Sequence, residues 1–226
     1  TQRGTNLEKL GVMIQTPEHV LAALVGCDLD NVIIELNSSE LPIMDGSSKY
    51  FVEALEQVGT VEQEAERKVY VVKDVISYLD EATGSEITII PSDSYCVTAM
   101  VDFGTKVLGT QNANMKNISD FKSEISACRT FSFLHELESL LNNGLIKGGD
   151  LNNAIVYVDK EISAETMTNL NKAFNKESIS VTENGILDNL TLHFPNEAAR
   201  HKLLDIVGDL SLIGTRIQGK VIANKP

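Results

Sequence analysis

His201 and Asp205 stand four residues apart in Asn196–Leu212, where Ala199, Leu203, Ile206, Val207 and Leu210 keep a 3.6-residue period. A helix there puts both side chains on one face. An imidazole nitrogen and a carboxylate oxygen at that spacing suit one divalent ion, although so short and common a motif, taken alone, reads first as a solvated ion pair on an amphipathic helix. A second pair, Glu18-His19, lies at a predicted helix start. His19, His201 and Asp205 together offer two nitrogens and one oxygen, the ligand number of a catalytic zinc with one open position. Glu18, next to a ligand but not one itself, has the chemistry of the general base in metal-assisted hydrolysis. In isolation, Glu18-His19 also reads as an acidic first turn followed by a surface histidine.

The elements that must carry these residues follow from punctuation and period. Thr16-Pro17-Glu18 reads as a helix start with Thr16 as N-cap and Pro17 at the first helical position. The helix runs through Ala22 and Ala23 to about Gly26. Asn31–Leu36 reads as a strand, and Asp45-Gly46 as a turn before a second helix over Ser48–Val58. The acidic stretch Thr60–Arg67 reads as a linker, which divides the chain into residues 1–62 and 63–226. Beyond it, Val69–Val72, Ser85–Ile90 and Ser94–Val101 have strand character. Ile118–Leu141 reads as a long interrupted helix, Ala154–Val158 as a strand, Asn196–Leu212 as a helix closed by Gly214, and Arg216–Ile222 as a last strand. The expectation is an α+β architecture of two domains, each a small sheet packed against two helices, with the first domain truncated at its start.

Composition narrows the function classes. Of 226 residues 42% are apolar and 23% charged, a globular balance. The net charge of −13 opposes nucleic-acid binding, which needs the opposite sign. The longest apolar runs are strand-sized, so no transmembrane segment is expected. Cys27, Cys96 and Cys128 are odd in number and widely spaced, which fits a reducing, cytoplasmic setting.

Longer motifs accompany these residues in order: Pro17–Leu24, Asp30–Glu35, Pro42–Ser48, Cys128–Phe131, Gly148-Gly149 and Arg200–Leu210. Over essentially the whole chain they resemble the UDP-3-O-acyl-N-acetylglucosamine deacetylase family, the zinc amidases of lipid A biosynthesis in Gram-negative bacteria. The resemblance implies that His19, His201 and Asp205 bind zinc and that Glu18 activates water. It makes Asp209 the aspartate that orients a catalytic histidine, and Thr130 a residue that polarises the scissile carbonyl. It sets Phe131 near the sugar–nucleotide and Lys202 near the diphosphate. It implies an acyl-chain tunnel formed by 144–158 and lined by Ile146, Ala154, Val156 and, from a neighbouring helix, Leu137. The substrate implied is UDP-3-O-(3-hydroxyacyl)-N-acetylglucosamine, which loses acetate in the committed step of lipid A synthesis.

The resemblance also implies parts that lie outside Thr1–Pro226: several strands before Thr1, and a Gly-His-x-x-Asn segment after Pro226 whose histidine serves as acid. Thr1–Pro226 therefore reads as an internal piece with impaired activity, and the alternative reading is a non-catalytic zinc- or nucleotide-sugar-binding fragment. Details of 148–154 and 194–200 are similar to fused forms that carry a 3-hydroxyacyl-carrier-protein dehydratase domain after the deacetylase.

Overall fold

Period-two burial marks three of the five strands of the central sheet, those at Cys96–Asp102, Thr110–Met115 and Lys220–Asn224. The computed structural model describes residues 4–137, 153–173, 177–188 and 190–226. Its five-stranded sheet is formed by β4 (Ile76–Asp80), β5 (Ser85–Ile90), β6 (Cys96–Asp102), β7 (Thr110–Met115) and β11 (Lys220–Asn224) in the order β4-β5-β11-β6-β7. β11 runs antiparallel to β5 and parallel to β6. Val97, Ala99 and Val101 of β6 alternate with less buried neighbours, and with Val221 and Ala223 of β11 they present one apolar face.

Two helices dominate that face. α1 (Glu18–Gly26) packs against α5 (Glu197–Leu210), and α5 packs in turn on β6 and β7. One continuous core joins Ala22, Ala23 and Val25 of α1 to Leu203, Leu204 and Val207 of α5 and to the sheet. Further helices among the described residues are α2 (Lys49–Val58), the one-turn α3 (Phe121–Glu124) and α4 (Ala164–Ala173), and residues 134–137 are helical as well. Two-stranded pairs complete the fold: hairpin β1 (Asn6–Lys9) and β2 (Val12–Gln15), parallel β3 (Val69–Val71) with β10 (Arg216–Gln218), and parallel β8 (Phe131–Phe133) with β9 (Ile155–Tyr157). The architecture is α+β, as the residue pattern implies.

Several elements differ from expectation. Asn31–Leu36 forms no strand and pairs with none among the described residues, and Ile33 is 92% exposed. Its β-branched run gives β propensity without a partner, and propensity of that kind acts only through cross-strand contacts. Of the expected helix over Ile118–Leu141, the described residues 118–137 form no single long helix, and 138–141 lie outside the described residues. The described part holds a 3-10 turn over Ile118–Asp120, the short α3, which already stops at Glu124 with Ile125 as its C-cap, strand β8, and helical residues 134–137. The reading Arg216–Ile222 is two strands, β10 and β11, broken at Gly219, where a β-carbon would come within 2.6 Å of Val72 Cγ2. Thr16 is not the N-cap: Pro17 occupies that position, and Thr16 turns the chain at φ +59. β7 and the β1–β2 hairpin were not anticipated. β7 is polar in sequence (TQNANM), and the hairpin turns at Leu10 and Gly11, both with positive φ, as a type I′ turn requires.

Candidate metal centre

The crossing of α1 and α5 brings His19 to His201 and Asp205. His19 Nε2 lies 3.7 Å and His201 Nε2 3.4 Å from Asp205 Oδ1, and one ligand atom from each residue lies within 4.8 Å of the others. The two imidazoles meet edge to face with centroids 5.0 Å apart. Both histidines are buried.

Backbone carbonyls hold the two helices in register. His201 Nδ1 contacts the Cys128 carbonyl oxygen at 3.0 Å, and a carbonyl only accepts, so Nδ1 carries the proton and Nε2 keeps its lone pair. Ser48 Oγ, fully buried, donates to the His19 carbonyl at 2.7 Å. Ser48 and Cys128 are contacts that residue spacing did not single out, because both act over long sequence separations.

The electrostatics favour ligation. Burial, with His201 as a second cause, lowers the His19 pKa to about 4, and burial also lowers that of His201. Burial pushes the Asp205 carboxyl up, but His201, Lys202 and His19 outweigh it and hold it below its ordinary value. Two neutral imidazoles beside an ionised carboxylate are the protonation states a metal requires. His19 Nδ1 and Asp205 Oδ1 are buried with no hydrogen-bond partner. Unpartnered buried polar atoms are costly, and a cation among these residues would satisfy Asp205 Oδ1. The donor set therefore fits a divalent ion that accepts nitrogen and oxygen.

Glu18 begins α1 beside this cluster. Burial raises its pKa, and the negative fields of Asp205 and Asp209 add to the effect. Its Oε2 receives the Thr5 backbone N–H at 3.4 Å, while the Thr5 hydroxyl donates to Asp209 Oδ1 at 2.6 Å. Thr5 was not singled out from the sequence. Lys202 Nζ is 3.2 Å from Asp205 Oδ2. Thr130 is half-buried, two residues beyond the Cys128 carbonyl, and its N–H donates to the Gly46 carbonyl at 2.7 Å. Gly46 sits at φ +82 where a β-carbon would clash with the Asn153 carbonyl, so this approach needs glycine. The Phe131 ring lies edge-on to His201 with centroids 6.5 Å apart, within a cluster containing Phe103, Phe133 and Tyr157.

Other expected contacts fall farther out along β9. Ile155 and Tyr157 face the main core, whereas Val156 joins a second apolar cluster with Leu134, Leu170, Ile179 and Leu187, and Leu137 packs against it. Ala154 is half-buried just before β9. Ile146 lies outside the described residues.

The profile of the UDP-3-O-acyl N-acetylglycosamine deacetylase family matches residues 1–176 and 167–226. The chain belongs to this deacetylase family. Among similar proteins, the bifunctional enzyme LpxC/FabZ of Bacteroides thetaiotaomicron is 42% identical over 226 residues, which cover all of this chain and 49% of that one. The namesake of Porphyromonas gingivalis is 41% identical at the same coverage. The UDP-3-O-acyl-N-acetylglucosamine deacetylase of Syntrophotalea carbinolica is 36% identical, over all of this chain and 65% of that protein. The deacetylase-family chain thus spans about half the length of its bifunctional relatives. Among its described residues no helix is long and apolar enough to cross a membrane, and its three cysteines are free.

Proposed function

We propose that this chain is the deacetylase portion of a zinc-dependent amidohydrolase that removes acetate from UDP-3-O-(3-hydroxyacyl)-N-acetylglucosamine in lipid A biosynthesis. The observation that carries the reading is the meeting of His19, His201 and Asp205 beside a raised-pKa Glu18. Zinc, when bound by those three ligands, supplies Lewis acidity and an acidified water. Glu18 takes the proton of the attacking water, and its raised pKa suits it both to accept that proton and to release it later. Thr130, fixed through its backbone to Gly46 and Ile155, offers its hydroxyl to the developing oxyanion. Phe131 supports the His201 ring and faces the sugar–nucleotide. Lys202 neutralises Asp205 and gives the diphosphate a cation. Asp209 orients the acid that protonates the leaving amine. Leu137, Ile146, Ala154 and Val156 contribute to the acyl-chain passage, and the proposed setting is the cytoplasm. By analogy with the bifunctional relatives, a dehydratase domain is the proposed fused partner.

Acetate release from that UDP-sugar by the full-length protein tests this. Turnover should disappear on chelation and return with stoichiometric zinc. Undiminished turnover by the metal-free protein would overturn the zinc assignment, and turnover of other N-acetyl sugars alone would overturn the substrate.

A further inference from the structure

Glu197 lies one helical turn before His201 on α5 and is fully buried. A carboxylate in that position needs partners. Its Oε1 accepts from the Arg129 backbone N–H at 3.0 Å and from Arg129 Nε at 2.9 Å. Its Oε2 accepts from Arg129 Nη2 at 3.2 Å and from the His193 backbone N–H at 2.7 Å. Arg129 Nη2 also donates to the Thr191 carbonyl at 2.6 Å.

The N–H that Glu197 accepts and the carbonyl that His201 contacts belong to one peptide group, between Cys128 and Arg129. Glu197 holds its N–H end and His201 Nδ1 donates to its C=O end, so α5 grips a single peptide plane at two successive turns. A charged acceptor on the N–H polarises the peptide and makes its carbonyl a stronger acceptor. A stronger acceptor at Nδ1–H fixes the tautomer and makes Nε2 a better ligand.

From this we infer that Glu197, with Arg129 as its counter-charge, is a positioning residue for His201 and acts on metal affinity through the Cys128–Arg129 peptide. The inference rests on the metal reading above and adds two residues to it. The same grip fixes where Thr130 begins, since Thr130 follows Arg129 directly and is tied to Gly46.

The test is the zinc affinity of the full chain, measured by competition with a chromophoric chelator, with Tm recorded alongside. Glu197→Gln should weaken zinc binding by about 10- to 100-fold. Should that variant fail to fold because Arg129 is left unpaired, the neutral double variant Arg129→Gln/Glu197→Gln is read instead, with the same loss expected. Val221→Ala, a core truncation in β11 away from this peptide, serves as the control for lost stability and should stay within about twofold of the unaltered chain. Zinc affinity of the Glu197 variants within that same twofold would overturn the inference. His201→Ala separates the two levels: if it too leaves zinc affinity unchanged, the metal reading itself has failed.

Discussion

Gly208 of α5 lies against the Glu18 carbonyl of α1: a β-carbon there would stand 2.1 Å from that oxygen and 3.2 Å from the Ala22 nitrogen. Glycine at 208 and alanine at 22 and 23 let the two helices cross closely enough for His19 to reach His201 and Asp205. Gly208→Ala should force the helices apart. Overpacking of a core costs about 1–3 kcal/mol, which lowers Tm by about 2–12 °C in a chain of this size. Zinc binding should weaken in parallel. A calorimetric scan and a zinc titration of Gly208→Ala check both, and unchanged values would show that the crossing does not set the site.

The metal-free protein should lose stability as pH falls from about 6.5 to about 4. His19 titrates near its ordinary value in the unfolded chain but only at about 4 when folded, so between those limits the unfolded state binds the extra proton. His201 is shifted in the same direction. The contribution is therefore complete above the ordinary histidine pKa and lost on acidification, at a size on the order of 3 kcal/mol for His19 alone. Urea unfolding at pH 7.5 and pH 4.5 measures it. A His19→Gln chain should show a smaller difference, and an equal difference would assign the effect elsewhere.

Arg67 presents the opposite case. Its guanidinium pairs with Asp28 Oδ1 and with Asp30 Oδ2, each at 2.7 Å, but the side chains are 36–60% exposed. Exposed pairs are worth roughly 0–1 kcal/mol. Arg67→Ala should cost no more than about 1 kcal/mol in urea unfolding and leave zinc affinity unchanged. A larger loss would mean that this network holds the Thr60–Arg67 segment against the fold.

Local pattern revealed the two site helices and left much of their surroundings hidden. α5 showed itself through its period and through His201 and Asp205 at one turn's spacing, and α1 through Pro17, its apolar run and Gly26. Which distant residues would meet was not in the spacing. That His19 faces Asp205 depends on a helix crossing whose signal is one glycine, Gly208. Glu197 and Arg129 are 68 residues apart, and each reads as an ordinary charged residue. β7 stayed hidden because its outer positions are polar, while Ala113 and Met115 alone mark its buried face. Asn31–Leu36 misled for the reverse reason, since strong propensity there meets no strand among the described residues.

On the proposed function, His19, His201 and Asp205 hold one metal ion while Glu18, their neighbour, works as a base without ligating. Zinc content per chain, measured by atomic emission after dialysis against metal-free buffer, tests it when turnover is followed on the same samples. Glu18→Ala should retain nearly all its zinc and lose turnover by at least ~10², whereas His201→Ala should lose the metal itself. Equal zinc loss in Glu18→Ala and His201→Ala would contradict the assignment and make Glu18 a ligand.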